Sequence, residues 1–145
     1  MDIVLGKNRK PGVLIIQDRK SRKIWLKKIE NKKSNYINSK ITSILNRAEK
    51  PIRSITTDND LAFAKHHLLN VIVYFANPYS SQEKGSVENR IGQLRRFFPK
   101  RTIFEKISES RIKEVEHLLN NRPLKMFNYK TPNEVFFKNT LALIT

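Results

Sequence analysis

The residue types that phosphodiester chemistry requires are concentrated in the segment 56–100. Asp58 follows a short apolar run, and Glu88 lies one short helix, one strand and one loop further along, inside a predicted helix. Carboxylates on neighbouring elements can converge on a divalent cation, because hard cations such as Mg²⁺ prefer oxygen ligands. The helix of Glu88 continues into three side chains suited to phosphate, namely Arg90, Arg95 and Arg96. Acidic groups for a metal beside basic groups for phosphate are the combination that phosphodiester chemistry needs.

The charge balance points to the same kind of partner. The chain of 145 residues contains 29 Lys and Arg against 13 Asp and Glu, which gives a formal net charge of +16. A protein this basic is expected to bind a polyanion, and nucleic acid is the first candidate. A ribosomal-type structural protein and a genome that favours Lys and Asn are the alternatives. Genome bias does not account for the excess of basic over acidic residues.

Composition also excludes several classes of protein. There are no cysteines, which rules out disulfides, thiolate zinc sites and cysteine nucleophiles. No stretch approaches the ~20 apolar residues of a membrane span, and the start of the chain lacks the apolar core of a signal peptide. We therefore expect a cytoplasmic protein with no membrane partner.

Hydrophobic patterning predicts five strands and at least five helices. The predicted strands cover 2–5, 13–17, 23–29, 52–57 and 71–76, and the predicted helices cover 34–47, 60–69, a segment with Glu88 that ends at Pro99, 108–121, and a segment that starts at Thr131. Ser80 with Glu83 forms a capping box for the Glu88 helix, or Ser86 caps a later start. The order, three antiparallel strands followed by alternating helices and strands, matches the ribonuclease H-like fold. We expect a mixed five-stranded sheet, three antiparallel strands then two parallel, with helices on both faces.

Five motifs in a fixed order resemble a known family. They are TTDND, PYS…GSVEN, RRFFPK, LNNRP and TPNEVF. Together they resemble the catalytic core of DDE transposases and retroviral-type integrases, and among these they look most like bacterial insertion-sequence transposases of the family numbered thirty. The resemblance runs from DIVLGK to TPNEVFF and implies one integrase-like catalytic core domain over 1–145. The resemblance also implies that full-length transposases of this group are longer proteins with an N-terminal helix-turn-helix region. We expect this chain to lack that region.

The resemblance implies a function and a set of site residues. Metal-dependent cleavage at element ends frees a 3′-hydroxyl, and transesterification then joins it to target DNA. Asp2, Asp58 and Glu88 match the three catalytic acids, which implies two Mg²⁺ (or Mn²⁺) per site. The implied DNA contacts are Arg95, which lies seven residues after Glu88, and Lys84, Arg90 and Arg96. The implied partners are double-stranded DNA, as element ends and as target, and further copies of the chain assembled on it in a bacterial cytoplasm.

Simpler interpretations of the acidic residues stay open at this point. Asp58 can cap the short helix that follows it, and Glu88 can favour the positive end of its own helix. Asp18, at the end of the second strand, is the alternative to Asp2 as the first acid, although we interpret it as a turn residue.

Two departures from the family pattern favour a second hypothesis. Asp60 stands where the family usually has Gly, and the interval between Asp58 and Glu88 is about four residues shorter than the resemblance leads us to expect. The alternative is a truncated, catalytically inactive DNA-binding remnant of such a transposase. A third hypothesis is another ribonuclease H-like nuclease, which would prefer an RNA–DNA hybrid.

Overall fold

A computed structural model describes residues 1–58, 60–76 and 85–144, without the side chains of 85, 86 and 139–144. Five strands and four helices form the framework, and short 3₁₀ turns connect several of them. The strands are β1 (Asp2–Leu5), β2 (Pro11–Gln17), β3 (Ile24–Lys28), β4 (Ser54–Thr57) and β5 (Ile72–Phe75), and the helices are α1 (Ser34–Arg47), α2 (Gly85–Leu94), α3 (Glu109–Asn120) and α4 (Pro132–Ile144).

The strands form an antiparallel group and a parallel pair. Strands β1, β2 and β3 are antiparallel neighbours in that order, with Asp2 opposite Ile15, and β4 runs parallel to β5. The two groups meet at the start of β1. There the amino group of Met1 donates a hydrogen bond of 2.8 Å to the Thr56 carbonyl, and Thr57 Oγ1 lies 3.5 Å from the Met1 carbonyl. The predicted mixed sheet, three antiparallel strands and then two parallel, is confirmed.

Apolar side chains cover both faces of this sheet. Alternate residues of β2 point to opposite sides, and all of Val13 to Ile16 are buried. One side packs against α1 through Ile37, Ile41 and Ile44, together with Phe136 of α4. The other side packs against α2 and α3 through Leu94, Val115 and Leu119. The prediction of helices on both faces is therefore confirmed.

Local sequence signals set the helix starts. The Ser108 hydroxyl accepts a hydrogen bond from the Arg111 amide at the start of α3, and Thr131 Oγ1 accepts one from the Glu134 amide at the start of α4. Side chains of this kind satisfy amide groups that have no partner within the helix. The possible caps at Ser80 and Glu83 lie outside the described residues, as does the side chain of Ser86.

The predicted helix over 60–69 is wrong in type. This segment forms two separate 3₁₀ turns, Leu61–Phe63 and His66–Leu68. Their amides bond three residues back, as from Phe63 to Asp60 and from Leu69 to His66. Breaking the helix in two lets Phe63 and Leu69 both enter the α1 side of the core.

None of the helices in the described part of the chain is long and apolar enough to cross a membrane.

Candidate active site

The start of β1 and the end of β4 bring two of the predicted acids to neighbouring positions. Asp2 follows Met1, which is hydrogen-bonded to Thr56 and Thr57, and Asp58 follows Thr57 directly. Both aspartates are half-buried, and Oδ1 of Asp2 accepts a hydrogen bond of 2.8 Å from the Ile3 amide. Two strands of the sheet therefore present a carboxylate at the same edge.

Asp60, and not Asp58, caps the turn that follows β4. Oδ1 of Asp60 accepts a hydrogen bond of 2.9 Å from the Ala62 amide, and its Oδ2 lies 2.6 Å from Lys32 Nζ. The interpretation of Asp58 as that cap is wrong. The negative charge that Asp60 adds beside Asp58 is balanced by Lys32.

Glu88 lies on the outer side of the first turn of α2. The helix docks on the sheet through Val87 and Leu94, which are both buried, and this leaves Glu88 exposed. The exposed side chain is accessible to a ligand that lies over this end of the helix.

The carboxylates of Asp2, Asp58 and Glu88 are suitable ligands for a hard cation, but they do not form one cluster. Mg²⁺ commonly takes one or two carboxylates and completes its coordination with phosphate oxygens and water, so Asp2 and Asp58 fit the donor set. Within residues 1–58, 60–76 and 85–144, no three His, Cys, Asp or Glu side chains form a group that could hold a metal ion. The structure brings Asp2 and Asp58 to adjacent strand ends and does not join Glu88 to them. The assignment of all three as catalytic residues stays a prediction.

Arg90, which is predicted to contact DNA, is buried. Only 2% of the residue is exposed, and its guanidinium donates to Gln93 Oε1 at 2.7 Å and to the Leu119 carbonyl at 3.0 Å. Burial, and to a smaller extent the charges of Arg122 and Arg22, lower the pKa of Arg90 to about 10. The residue still carries its charge at neutral pH, but the charge faces α3.

Arg95 is half-buried and also engages the protein. One guanidinium nitrogen donates to the Leu5 carbonyl of β1 at 2.8 Å, and another lies 3.4 Å from the Phe98 carbonyl. Burial lowers the pKa of Arg95.

The other predicted residues differ in their surroundings. Arg96 is exposed at the end of α2, where a DNA contact is open to it, and Lys84 lies outside the described residues. Asp18 closes the turn between β2 and β3, where its Oδ2 accepts hydrogen bonds from the amide and the hydroxyl of Ser21. The interpretation of Asp18 as a turn residue is confirmed.

The structure superposes on a solved integrase domain over its whole length. The match is to the crystal structure of the catalytic core domain of BIV integrase, with a TM-score of 0.74, 15% sequence identity, and coverage of 100% of this chain and 96% of that one. The chain has the ribonuclease H-like fold of an integrase catalytic core.

Relatives in sequence are transposases and an integrase. The chain is 37% identical over 140 residues to the transposase for insertion sequence element IS4351 of Bacteroides fragilis. It is 34% identical over 139 residues to the transposase for insertion sequence element IS30A of Escherichia coli. A putative integrase of Spiroplasma virus SpV1-R8A2 B is 30% identical over 145 residues. The predicted resemblance to insertion-sequence transposases is confirmed.

These alignments cover most of this chain but less than half of each relative. They span 94%, 92% and 96% of the integrase-core chain, and 43%, 36% and 45% of the respective relatives. No family model matches the chain.

Asn120 has a structural role that the sequence analysis did not predict. Asn120 of the LNNRP motif is buried, and its amide bonds both the N–H and the C=O of Ile24 on β3, at 2.8 and 2.9 Å. The predicted helix 108–121 ends within this motif. The available signal was its helical spacing, since Asn120 falls at i+8 in the apolar pattern of Ile112, Val115 and Leu119.

Proposed function

We propose that the chain is the catalytic core of a DNA transposase that cleaves at element ends and joins the freed end to target DNA. Similarity to insertion-sequence transposases over more than nine-tenths of the chain carries the proposal. The integrase-core fold supports it independently, because the fold brings two of the three candidate acids to one sheet edge.

The proposed reaction consists of two phosphoryl transfers. In the first, a water oxygen attacks a backbone phosphorus and the 3′-oxygen leaves and takes up a proton, which gives a 3′-hydroxyl and a 5′-phosphate. In the second, that 3′-hydroxyl loses its proton and attacks a target phosphodiester, whose own 3′-oxygen leaves. One bond is broken and one is formed in each step, so no oxidant or further co-reactant is required.

Asp2, Asp58 and Glu88 are the proposed ligands of Mg²⁺ or Mn²⁺, two ions per site. When bound, such ions supply Lewis-acid stabilisation of the charge that develops on the phosphate. The chain itself holds Asp2 and Asp58 at fixed strand ends, so that little reorganisation is needed when DNA arrives.

Double-stranded DNA is the proposed substrate, both as element ends and as target. The net charge of +16 favours a long polyanion, and Lys84 and the exposed Arg96 are proposed contacts to its backbone. Further copies of the chain are proposed to act together on the DNA, in a bacterial cytoplasm.

Nicking of supercoiled plasmid tests this function. The purified chain should convert the plasmid to the open circle with Mn²⁺ or Mg²⁺ and stop when a chelator is added. The nicks should carry 3′-hydroxyl ends, which a polymerase extends without prior phosphatase treatment.

The alternatives give other results. Salt-sensitive DNA binding without any nicking, in either metal, would support the inactive remnant and overturn the proposal. Faster cleavage of the RNA strand of an RNA–DNA hybrid than of duplex DNA would indicate a ribonuclease H-like nuclease.

A further inference from the structure

Two basic segments lie side by side at the end of β1. One is the turn 7–10 between β1 and β2, and the other is the loop 99–102 that follows α2. Their basic side chains are all exposed and together form what we term the basic turn surface, namely Lys7, Arg9, Lys10, Lys100 and Arg101. The sequence analysis assigned no role to any of them.

Backbone contacts hold the two segments against each other. The Lys7 amide donates a hydrogen bond of 2.9 Å to the Thr102 carbonyl. A Cβ at Gly6 would lie only 2.5 Å from the same carbonyl oxygen, so the two backbones approach as closely as a glycine permits. Within the turn, the Gly6 amide donates to the Lys10 carbonyl at 2.7 Å. The backbone positions of the basic turn surface are therefore fixed before any partner binds, which lowers the entropy that binding costs.

The turn 7–10 keeps a strained backbone. Asn8 and Arg9 both have left-handed conformations, with φ of 56° and 59°. Residues other than glycine rarely adopt this region, and a bulky residue such as Arg9 does so least readily. Strain of this kind persists where the surrounding structure imposes it, and it is concentrated at functional sites. An exposed, strained arginine fits a turn whose shape serves binding.

The positive charge of the two segments is not balanced locally. Residues 6–12 and 99–106 contain six basic residues and one acidic residue, Glu105. Oε1 of Glu105 lies 3.4 Å from Lys10 Nζ. Within the described part of the chain, the other four side chains of the basic turn surface have no ion-pair partner. Like charges held on one surface repel each other, and a polyanion that lies across them relieves this repulsion.

Strand β1 leads from the candidate acidic site to this surface. Asp2 is the first residue of the strand and Leu5 is the last. At about 3.3 Å per residue, the basic turn surface starts roughly 10 Å from Asp2 along the strand. A DNA duplex rises about 3.4 Å per base pair, so this separation corresponds to about three base pairs. One duplex can therefore lie over both places.

We propose that the basic turn surface binds the backbone of duplex DNA a few base pairs away from the phosphodiester that lies at Asp2 and Asp58. The inference rests on the proposed function, which supplies the position of that phosphodiester. Contacts to phosphate carry no direct sequence information but fix the register and orientation of a protein on the duplex. The surface thus holds DNA of any sequence in line with the acidic site.

The experiment compares two double variants that each remove two exposed lysine charges. Lys7→Gln/Lys100→Gln takes one charge from each segment of the basic turn surface. Lys20→Gln/Lys113→Gln is the matched control, with one lysine in the turn at the opposite end of β2 and the other on α3. Duplex affinity is measured from 50 to 200 mM salt, and plasmid nicking is measured with Mn²⁺ at saturating DNA. Fluorescence of the single tryptophan, Trp25, reports the unfolding midpoint of each variant.

The variant of the basic turn surface should bind duplex more weakly, and its slope of log affinity against log salt should become shallower by about 2, since each phosphate contact contributes about 0.9. The control should keep the slope of the unchanged chain. At saturating DNA both variants should nick at the rate of the unchanged chain, because none of the four lysines touches the reacting phosphate. Unfolding midpoints should be equal, because all four side chains are exposed.

Two results would overturn the inference. One is an equal change of slope in the two double variants, which would mean that net charge alone attracts the DNA. The other is an unchanged slope in Lys7→Gln/Lys100→Gln. Failure of the proposed function looks different, since the unchanged chain would then bind duplex without nicking it. In that case the salt slopes still decide whether the basic turn surface contacts DNA.

Discussion

Side chains from two helices bond the backbone of β3 along its outer edge. Asn120 donates to the carbonyl of Ile24 and accepts from its amide, the two hydrogen bonds that a further strand would otherwise make. Two residues along, Glu116 accepts from the Leu26 amide and Arg47 donates to the Leu26 carbonyl. Side chains therefore take the place of a neighbouring strand and protect the edge from pairing with other chains.

Replacement of Asn120 by Ala should destabilise the fold by about 1–3 kcal/mol, because two buried backbone groups of Ile24 lose their partners. Denaturant unfolding followed by the fluorescence of Trp25 measures this loss.

The control is Asn46→Ala, which makes the same change at an exposed position of α1. It should alter stability by no more than about 0.5 kcal/mol. Equal losses in the two variants would mean that the Asn120 amide does not support β3.

The contacts of a single side chain depend on how its helix docks, and the sequence does not show the docking. Val87, Arg90 and Leu94 recur at helical spacing, so the pattern already placed Arg90 close to the buried face of α2. The family resemblance directed attention to its charge instead. Whether a basic side chain on that face meets DNA or a neighbouring carbonyl depends on where α3 ends, and no local pattern carries that information.

At the scale of elements, Gly12 allows the segment after α2 to lie against β2. A Cβ at this position would overlap the ring of Phe104, at its Cδ2 and Cε2 atoms. Phe104 is buried in the α2 and α3 side of the core. The strand therefore needs a residue without a side chain where this ring crosses it.

Gly12→Ala should destabilise the fold by about 1–3 kcal/mol, as overpacking of a filled core typically does. Gly92→Ala is the matched control. Gly92 lies in the interior of α2 with open space around the added carbon, so the same substitution should stabilise by about 0.5–1 kcal/mol. The two midpoints in denaturant should thus move in opposite directions, and a Gly12→Ala midpoint that stays the same or rises would contradict the close approach of Phe104.

A helix could be predicted from the sequence where its apolar residues recur at helical spacing. The predicted helix 34–47 coincides with α1, whose Ile37, Ile41 and Ile44 form one buried stripe. The segment 60–69 was mispredicted as one helix, whereas the structure divides it into two 3₁₀ turns. Phe63 and Leu69 reach the same core from two separate turns, and only the tertiary structure shows the break between them.

At the scale of the whole molecule, the fold places acids at one edge of a strongly basic protein. Under the proposed function, the net charge of +16 would attract DNA to the surface without regard to sequence. The strand ends with Asp2 and Asp58 are the proposed local negative site for cations. Order of elements and family motifs predicted the fold and the strand positions of both aspartates. The distance of Glu88 from them was not predictable, because it depends on how α2 docks.

Nicking of supercoiled plasmid by Asp58→Asn, beside Asp60→Asn, tests the central claim most directly. Both variants lose one negative charge within the same turn. Asp60 serves as a cap, and Asn caps such turns about as well, so Asp60→Asn should nick with Mn²⁺ at a rate close to that of the unchanged chain. Asp58→Asn should lose nicking altogether while it binds DNA as tightly as before. Nicking that survives in Asp58→Asn would contradict the assignment of a carboxylate active site at the end of β4.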